Sequence, residues 1–151
     1  MSIFYRPRPG RFICGGTPVL RQLDREQWEL TEPVCYETND GHKLMVPAGF
    51  LTDLASLPPV TEAVLGRSPA WDAPALLHDY AYRHGAVREA VAPHYTVERP
   101  VSRKEADQLF ADAIVSNDTH PTGSVGLAVL MYYALRWFGG GQWAKARRAA
   151  A

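Results

Sequence analysis

The sequence predicts an α+β fold: a small N-terminal antiparallel β-sheet built of hairpins, followed by a helical C-terminal half. Three observations predict it. Strand-forming residues flank a tight-turn signal at Asn39-Asp40-Gly41. Ser102-Arg103-Lys104-Glu105 is a capping box at a helix start. A largely apolar run from Gly123 to Phe138 closes on Gly139-Gly140-Gly141. Strands first and helices afterwards exclude an alternating parallel fold.

Taken in order, Ile3-Phe4-Tyr5 and Arg11-Phe12-Ile13-Cys14 are short strand candidates separated by a Pro/Gly turn. The run Trp28 to Thr38 pairs through the Asn39-Gly41 turn with His42-Lys43-Leu44-Met45-Val46, and Pro33 inside that run argues for an edge or a bulge. Pro47, Gly49, Pro58 and Pro59 punctuate a shaped loop that holds Thr52, Asp53 and Ser56. A short helical turn is expected over 59–65 and a fuller helix over Ala73 to His84. The capped helix runs to about Asn117, and Pro121 suits the first position of the last helix. The chain reads as one domain over 1–151: β-rich over 1–57, helical over 58–140, with a basic tail over 141–151 whose Lys145, Arg147 and Arg148 read as a solvated terminus.

Composition bounds the function. A chain of 151 residues buries roughly 70% of its unfolded surface. Its 46% hydrophobic and 21% charged residues are those of a globular protein. Acidic and basic residues balance at 16 each, so no global field favours nucleic acid, and no nucleic-acid partner is expected. No window reaches the roughly 18 apolar residues of a membrane span, and the start reads as no secretory signal. Cys14 and Cys35 fit no zinc spacing and are expected as two buried free thiols. The expected location is therefore a cytoplasm, unless the protein leaves within a larger particle.

One polar constellation stands out. His78 and Tyr82 are four apart on one helix, among Leu76, Leu77 and Tyr80. On the Ser102 helix Asp107 aligns with Phe110, Ala111 and Ile114, so a carboxylate occupies the core-facing stripe. A buried carboxylate is costly unless paired, and His78 is the expected partner. A histidine backed by an acid is held in one tautomer and activates water or a hydroxyl. Asp79 points about 100° round the helix from His78. With Asp53 it is a candidate ligand for a hard cation, calcium rather than zinc. His42, His84, His94 and His120 read as surface residues. Tyr132, Tyr133, Trp137 and Phe138 read as core.

Three segments carry a family resemblance: Val46-Pro47-Ala48-Gly49-Phe50-Leu51-Thr52-Asp53-Leu54-Ala55-Ser56-Leu57-Pro58, Leu77-His78-Asp79-Tyr80-Ala81-Tyr82, and Ser102 to Phe110. Their order and content resemble domain of unknown function 1353, carried by tailed phages and prophages, and Met131-Tyr132 to Gly139 also fits. The resemblance implies phage origin, with other phage structural proteins or a host envelope component as partners. His78-Asp79-x-x-Tyr82 followed by Ala106-Asp107 and Phe110 also resembles the active-site pair of calcium-dependent phospholipase A enzymes. That likeness implies His78 as general base, Asp79 on calcium, and Tyr82 and Asp107 orienting the histidine. The glycine-rich calcium loop and cysteine framework of the secreted enzymes are absent.

The function expected from these readings is a phage-encoded hydrolase in which His78, Asp107 and Tyr82 activate water against a lipid ester or a cell-envelope bond. The rivals are a non-enzymatic tail or tail-tip protein of the virion and a phage protein that binds a host factor. Its expected place is the host cytoplasm or the virion. A hydrolase should leave His78 in a solvent-reaching cleft, whereas a structural network would seal it.

Overall fold

The structure is a computed structural model that describes residues 4–53, 71–116 and 125–150. The turn expected over 59–65, Ser56, His120 and Pro121 lie outside the described residues. The N-terminal half forms strands β1 (Arg11–Cys14), β2 (Leu20–Gln22), β3 (Trp28–Leu30), β4 (Val34–Glu37), β5 (Lys43–Val46) and β6 (Leu51–Thr52). Then come α1 (Asp72–His84), the hairpin β7 (Ala86–Ala92) and β8 (Tyr95–Pro100), α2 (Arg103–Val115), α3 (Val125–Phe138) and α4 (Gly140–Ala150). Antiparallel sheets come first and helices dominate afterwards, as an α+β protein requires.

Five strands form one antiparallel sheet in the order β1-β4-β5-β7-β8, and β2-β3-β6 form a second. The β4–β5 hairpin pairs Val34 with Val46 and Glu37 with Lys43. Its turn needs a left-handed residue, and Gly41 at φ 87° supplies one without a Cβ penalty. Pro33 neither bulges nor edges a strand: it separates β3 from β4, which belong to different sheets, because proline lacks the N–H that a continuous ladder needs. Phe4 and Tyr5 form no strand.

Four other expectations are corrected. The stretch between α1 and α2 is a β-hairpin that completes the larger sheet, turned by Pro93 and by His94 at φ 62°. Residues 140–150 form α4, whose Arg147 donates to the Tyr82 and Arg83 carbonyls at 2.8 and 2.6 Å and so satisfies the open C-terminal end of α1. Cys14 and Cys35 are disulfide-bonded rather than free, since β1 pairs beside β4 and brings their Cα atoms to 4.8 Å. Trp137 and Phe138 are 76% and 61% exposed rather than core.

The main core lies where α1 and α2 cover the sheets, with Leu30, Tyr36, Leu44, Leu76 and Leu77 buried together. A second core joins α2 to α3 through Phe110, Ile114, Met131 and Leu135. The site residues sit between these cores. Among the described residues no helix is long and apolar enough to cross a membrane.

Candidate functional site

Helix α1 carries leucines, alanines and tyrosines on nearly every side, and nine of its residues from Ala73 to Tyr82 are buried. Its end is fixed by Gly85 in the left-handed conformation at φ 61°. His78 and Tyr82, one turn apart, bring their rings to a centroid distance of 4.0 Å, and Phe110 of α2 packs on His78 at 5.3 Å. Helix α2 begins at the expected capping box: Glu105 N donates to Ser102 Oγ at 3.1 Å and Ser102 N to Glu105 Oε2 at 2.6 Å. That start sets the rotation of the helix, and Asp107 falls on the buried face with Ala106, Phe110 and Ala111.

The structure brings His78, Tyr82 and Asp107 together. His78 Nε2 lies 3.1 Å from Asp107 Oδ1, and the Tyr82 hydroxyl donates to the same oxygen at 2.6 Å. Asp107 is the acceptor, so Nε2 holds a ring proton, and in the neutral ring Nδ1 carries the lone pair. Burial, followed by the bond to Asp107, pushes the Tyr82 phenol far up, so it remains a neutral donor. Both His78 and Asp107 have zero exposure. Nδ1 has no hydrogen-bond partner among the described residues.

The charge of Asp107 is balanced by a residue the sequence reading missed. Arg136 Nη1 donates to Asp107 Oδ2 at 2.9 Å from the last turn of α3. Arg103, on α2, donates to the carbonyls of Leu135 and Arg136 at 3.1 and 3.2 Å, which closes the end of α3. The sequence does hold a signal for Arg136. It is the one charged residue in Val125–Phe138, and a lone cation on an apolar helix needs a partner just as Asp107 does.

Asp79 and Asp53 also meet, but over a guanidinium. Arg83 Nε lies 3.3 Å from Asp79 Oδ1 and Nη2 lies 3.8 Å from Asp53 Oδ1, while Nη1 donates to the Leu51 carbonyl at 2.8 Å. Among the described residues no group of three or more histidines, cysteines or carboxylates is placed to hold a metal. A cationic side chain between the two expected ligands does not fit a calcium site, which needs six to eight oxygens around the ion.

A family described as "Protein of unknown function (DUF1353)" matches residues 28–135. The chain belongs to this family. The DUF1353 match takes in Asp53, His78, Asp79, Tyr82 and Asp107 and stops one residue short of Arg136; it leaves out β1, β2 and α4. No curated protein and no solved structure matches the chain.

Proposed function

We propose that this DUF1353 protein is a phage- or prophage-encoded hydrolase in which His78 activates water against a lipid ester or a cell-envelope amide. The observation that carries the reading is the unpartnered Nδ1. Asp107 takes the Nε2 proton and is itself held by Tyr82 and Arg136, so the opposite ring nitrogen is a base with no structural task among the described residues. The step requires the buried Nδ1 to be opened to solvent; Nδ1 then removes a proton from water as the water oxygen bonds to the carbonyl carbon. The ester or amide bond then breaks and the leaving group recovers the proton from the imidazolium. Asp107 and Tyr82 hold the ring's orientation and stabilise its transient charge. No step runs through a metal.

Zero exposure of His78 and Asp107 favours a second reading, in which the four side chains are a buried network that fixes helix packing in a non-enzymatic virion component such as a tail protein. The experiment compares the wild type with His78→Gln on mixed phospholipid vesicles and on purified cell envelope, alongside thermal melts. Turnover lost in the variant at an unchanged melting temperature supports the hydrolase. Absence of turnover in the wild type, with a melting temperature lowered by the substitution, supports the network.

A further inference from the structure

A second histidine–carboxylate pair lies outside the buried network, on the five-stranded sheet. Residues paired directly across antiparallel strands share a face. Leu44 pairs with Glu89, Glu89 with Val97, and Val87 with Arg99, so Glu89 and Arg99 belong to the face on which Leu44 and Val87 are buried. A carboxylate at such a position, only 9% exposed, is costly unless paired. Glu89 is paired twice. Oε1 is hydrogen-bonded to His42 Nδ1, and Oε2 accepts from Arg99 Nε at 2.8 Å. Burial pushes the Glu89 carboxyl up, but the bonds to His42 and Arg99 outweigh it and hold the group below the usual range, so it remains an anion.

The geometry has a consequence for the outer nitrogens. One carboxylate grips each basic side chain by its inner nitrogen, which leaves His42 Nε2 and the terminal amines of Arg99 with no hydrogen bond among the described residues. Both side chains line a cleft of about 350 Å³ with Leu44, Val87, Val101 and Leu109 as apolar wall; Asp40, Glu105 and Asp112 line it too, but each is already engaged, by Arg8, by the Ser102 N–H and by Tyr5. With the Nδ1 proton given to Glu89, His42 Nε2 is a donor only in the imidazolium, and a guanidinium fork beside an imidazolium matches two oxygens of one anionic group.

We propose that His42 and Arg99, templated by Glu89, form a binding site for the oxyanion of a small amphipathic ligand, a carboxylate or phosphate whose apolar part lies against Leu44 and Leu109. The site is separate from His78 and independent of the hydrolase reading. Nothing in it competes with Glu89, because the ligand takes the nitrogens that Glu89 does not.

The test titrates the full chain, labelled for NMR of histidine and arginine side chains, with sodium benzoate, with inorganic phosphate and with benzyl alcohol at constant ionic strength. Saturable shifts of His42 and Arg99 with one of the two anions are expected, at a Kd of about 1 mM or below, and which anion saturates identifies the group. His42→Gln and Arg99→Gln should each weaken binding at least roughly tenfold, and Arg99→Lys, which keeps the charge without the fork, should weaken it as well. Melts run beside each variant confirm that it is folded. Shifts that grow linearly with both anions, equal binding of benzyl alcohol, or unchanged affinity in the folded variants would overturn the site.

Discussion

Arg136 Nη1 donates to Asp107 Oδ2 at 2.9 Å, the carboxylate oxygen that neither His78 nor Tyr82 uses. The pair joins α3 to α2 and supplies the one fixed positive charge within ion-pair distance of Asp107 among the described residues. Removing the two partners should therefore have unequal effects. Asp107→Asn takes the buried charge away and leaves Arg136, which is partly exposed, free to hydrate, at a cost of about 1–3 kcal/mol. Arg136→Gln strands the carboxylate and should cost about 3 kcal/mol or more. Urea denaturation of both variants checks the order; a milder effect of Arg136→Gln would mean that the hydrogen bonds alone satisfy Asp107.

Gly139 limits the same network from the far side. A Cβ built there would lie 2.6 Å from the Leu135 carbonyl oxygen and 2.7 Å from the Tyr82 hydroxyl. Gly139→Ala should therefore push Tyr82 off Asp107 and destabilise by about 1–3 kcal/mol through overpacking. The combination with Tyr82→Phe, which removes the hydroxyl, should cost less than the sum of the two singles. A strictly additive double variant would show that Gly139 acts on the α3 end alone.

Alkaline pH should unfold the protein earlier than its ion pairs would. Burial is the first cause that pushes the phenols of Tyr5, Tyr36, Tyr80 and Tyr82 up. For Tyr80, burial and the hydrogen bond it donates to Glu98 at 2.5 Å raise the value to about 12. The unfolded chain loses these protons near pH 10, while the folded protein keeps them, so the contribution of Tyr80 is complete below pH 10 and is lost as pH rises toward 12. Melting temperature against pH should fall steeply in that window, and Tyr80→Phe should make the fall shallower. A slope unaltered by the substitution would remove Tyr80 from the explanation.

The elements that were legible in the sequence are those fixed by local chemistry. The Asn39-Gly41 turn and the Ser102 capping box are satisfied within a few residues, so their signals survive folding. The β7–β8 hairpin was missed although Tyr95-Thr96-Val97 is a run of strand formers, because its partner Ala86-Val87-Arg88-Glu89-Ala90 has no strong strand preference of its own and is drawn into a ladder by β5 and β8. The same division holds at the site. His78, Tyr82 and Asp107 could be read because a carboxylate broke an apolar stripe. The exposure of Trp137 could not be read from composition. It follows from helix phase, since Leu135 faces inward and the residue two further on is turned about 200° away.

The disulfide gives the last prediction and bears on where the protein resides. Cys14 and Cys35 sit 21 apart in sequence, and their bond ties β1, the edge strand of the larger sheet, to β4. An edge strand of four residues has one neighbour to hold it. A cross-link closing a loop of this length stabilises by about 3 kcal/mol in the chain-entropy account, because it restricts the unfolded state. Reduction, or the double substitution Cys14→Ser and Cys35→Ser, should lower stability by about 2–4 kcal/mol, and amide exchange should show β1 opening first. In a reducing cytoplasm such bonds are rare, so the oxidised form is expected where the chain meets an oxidising compartment. Thiol titration of the chain from freshly lysed cells, against the chain exported to an oxidising compartment, measures this directly: two free thiols in both would place the bond outside the protein's working state and restore the thiol pair that composition alone suggested.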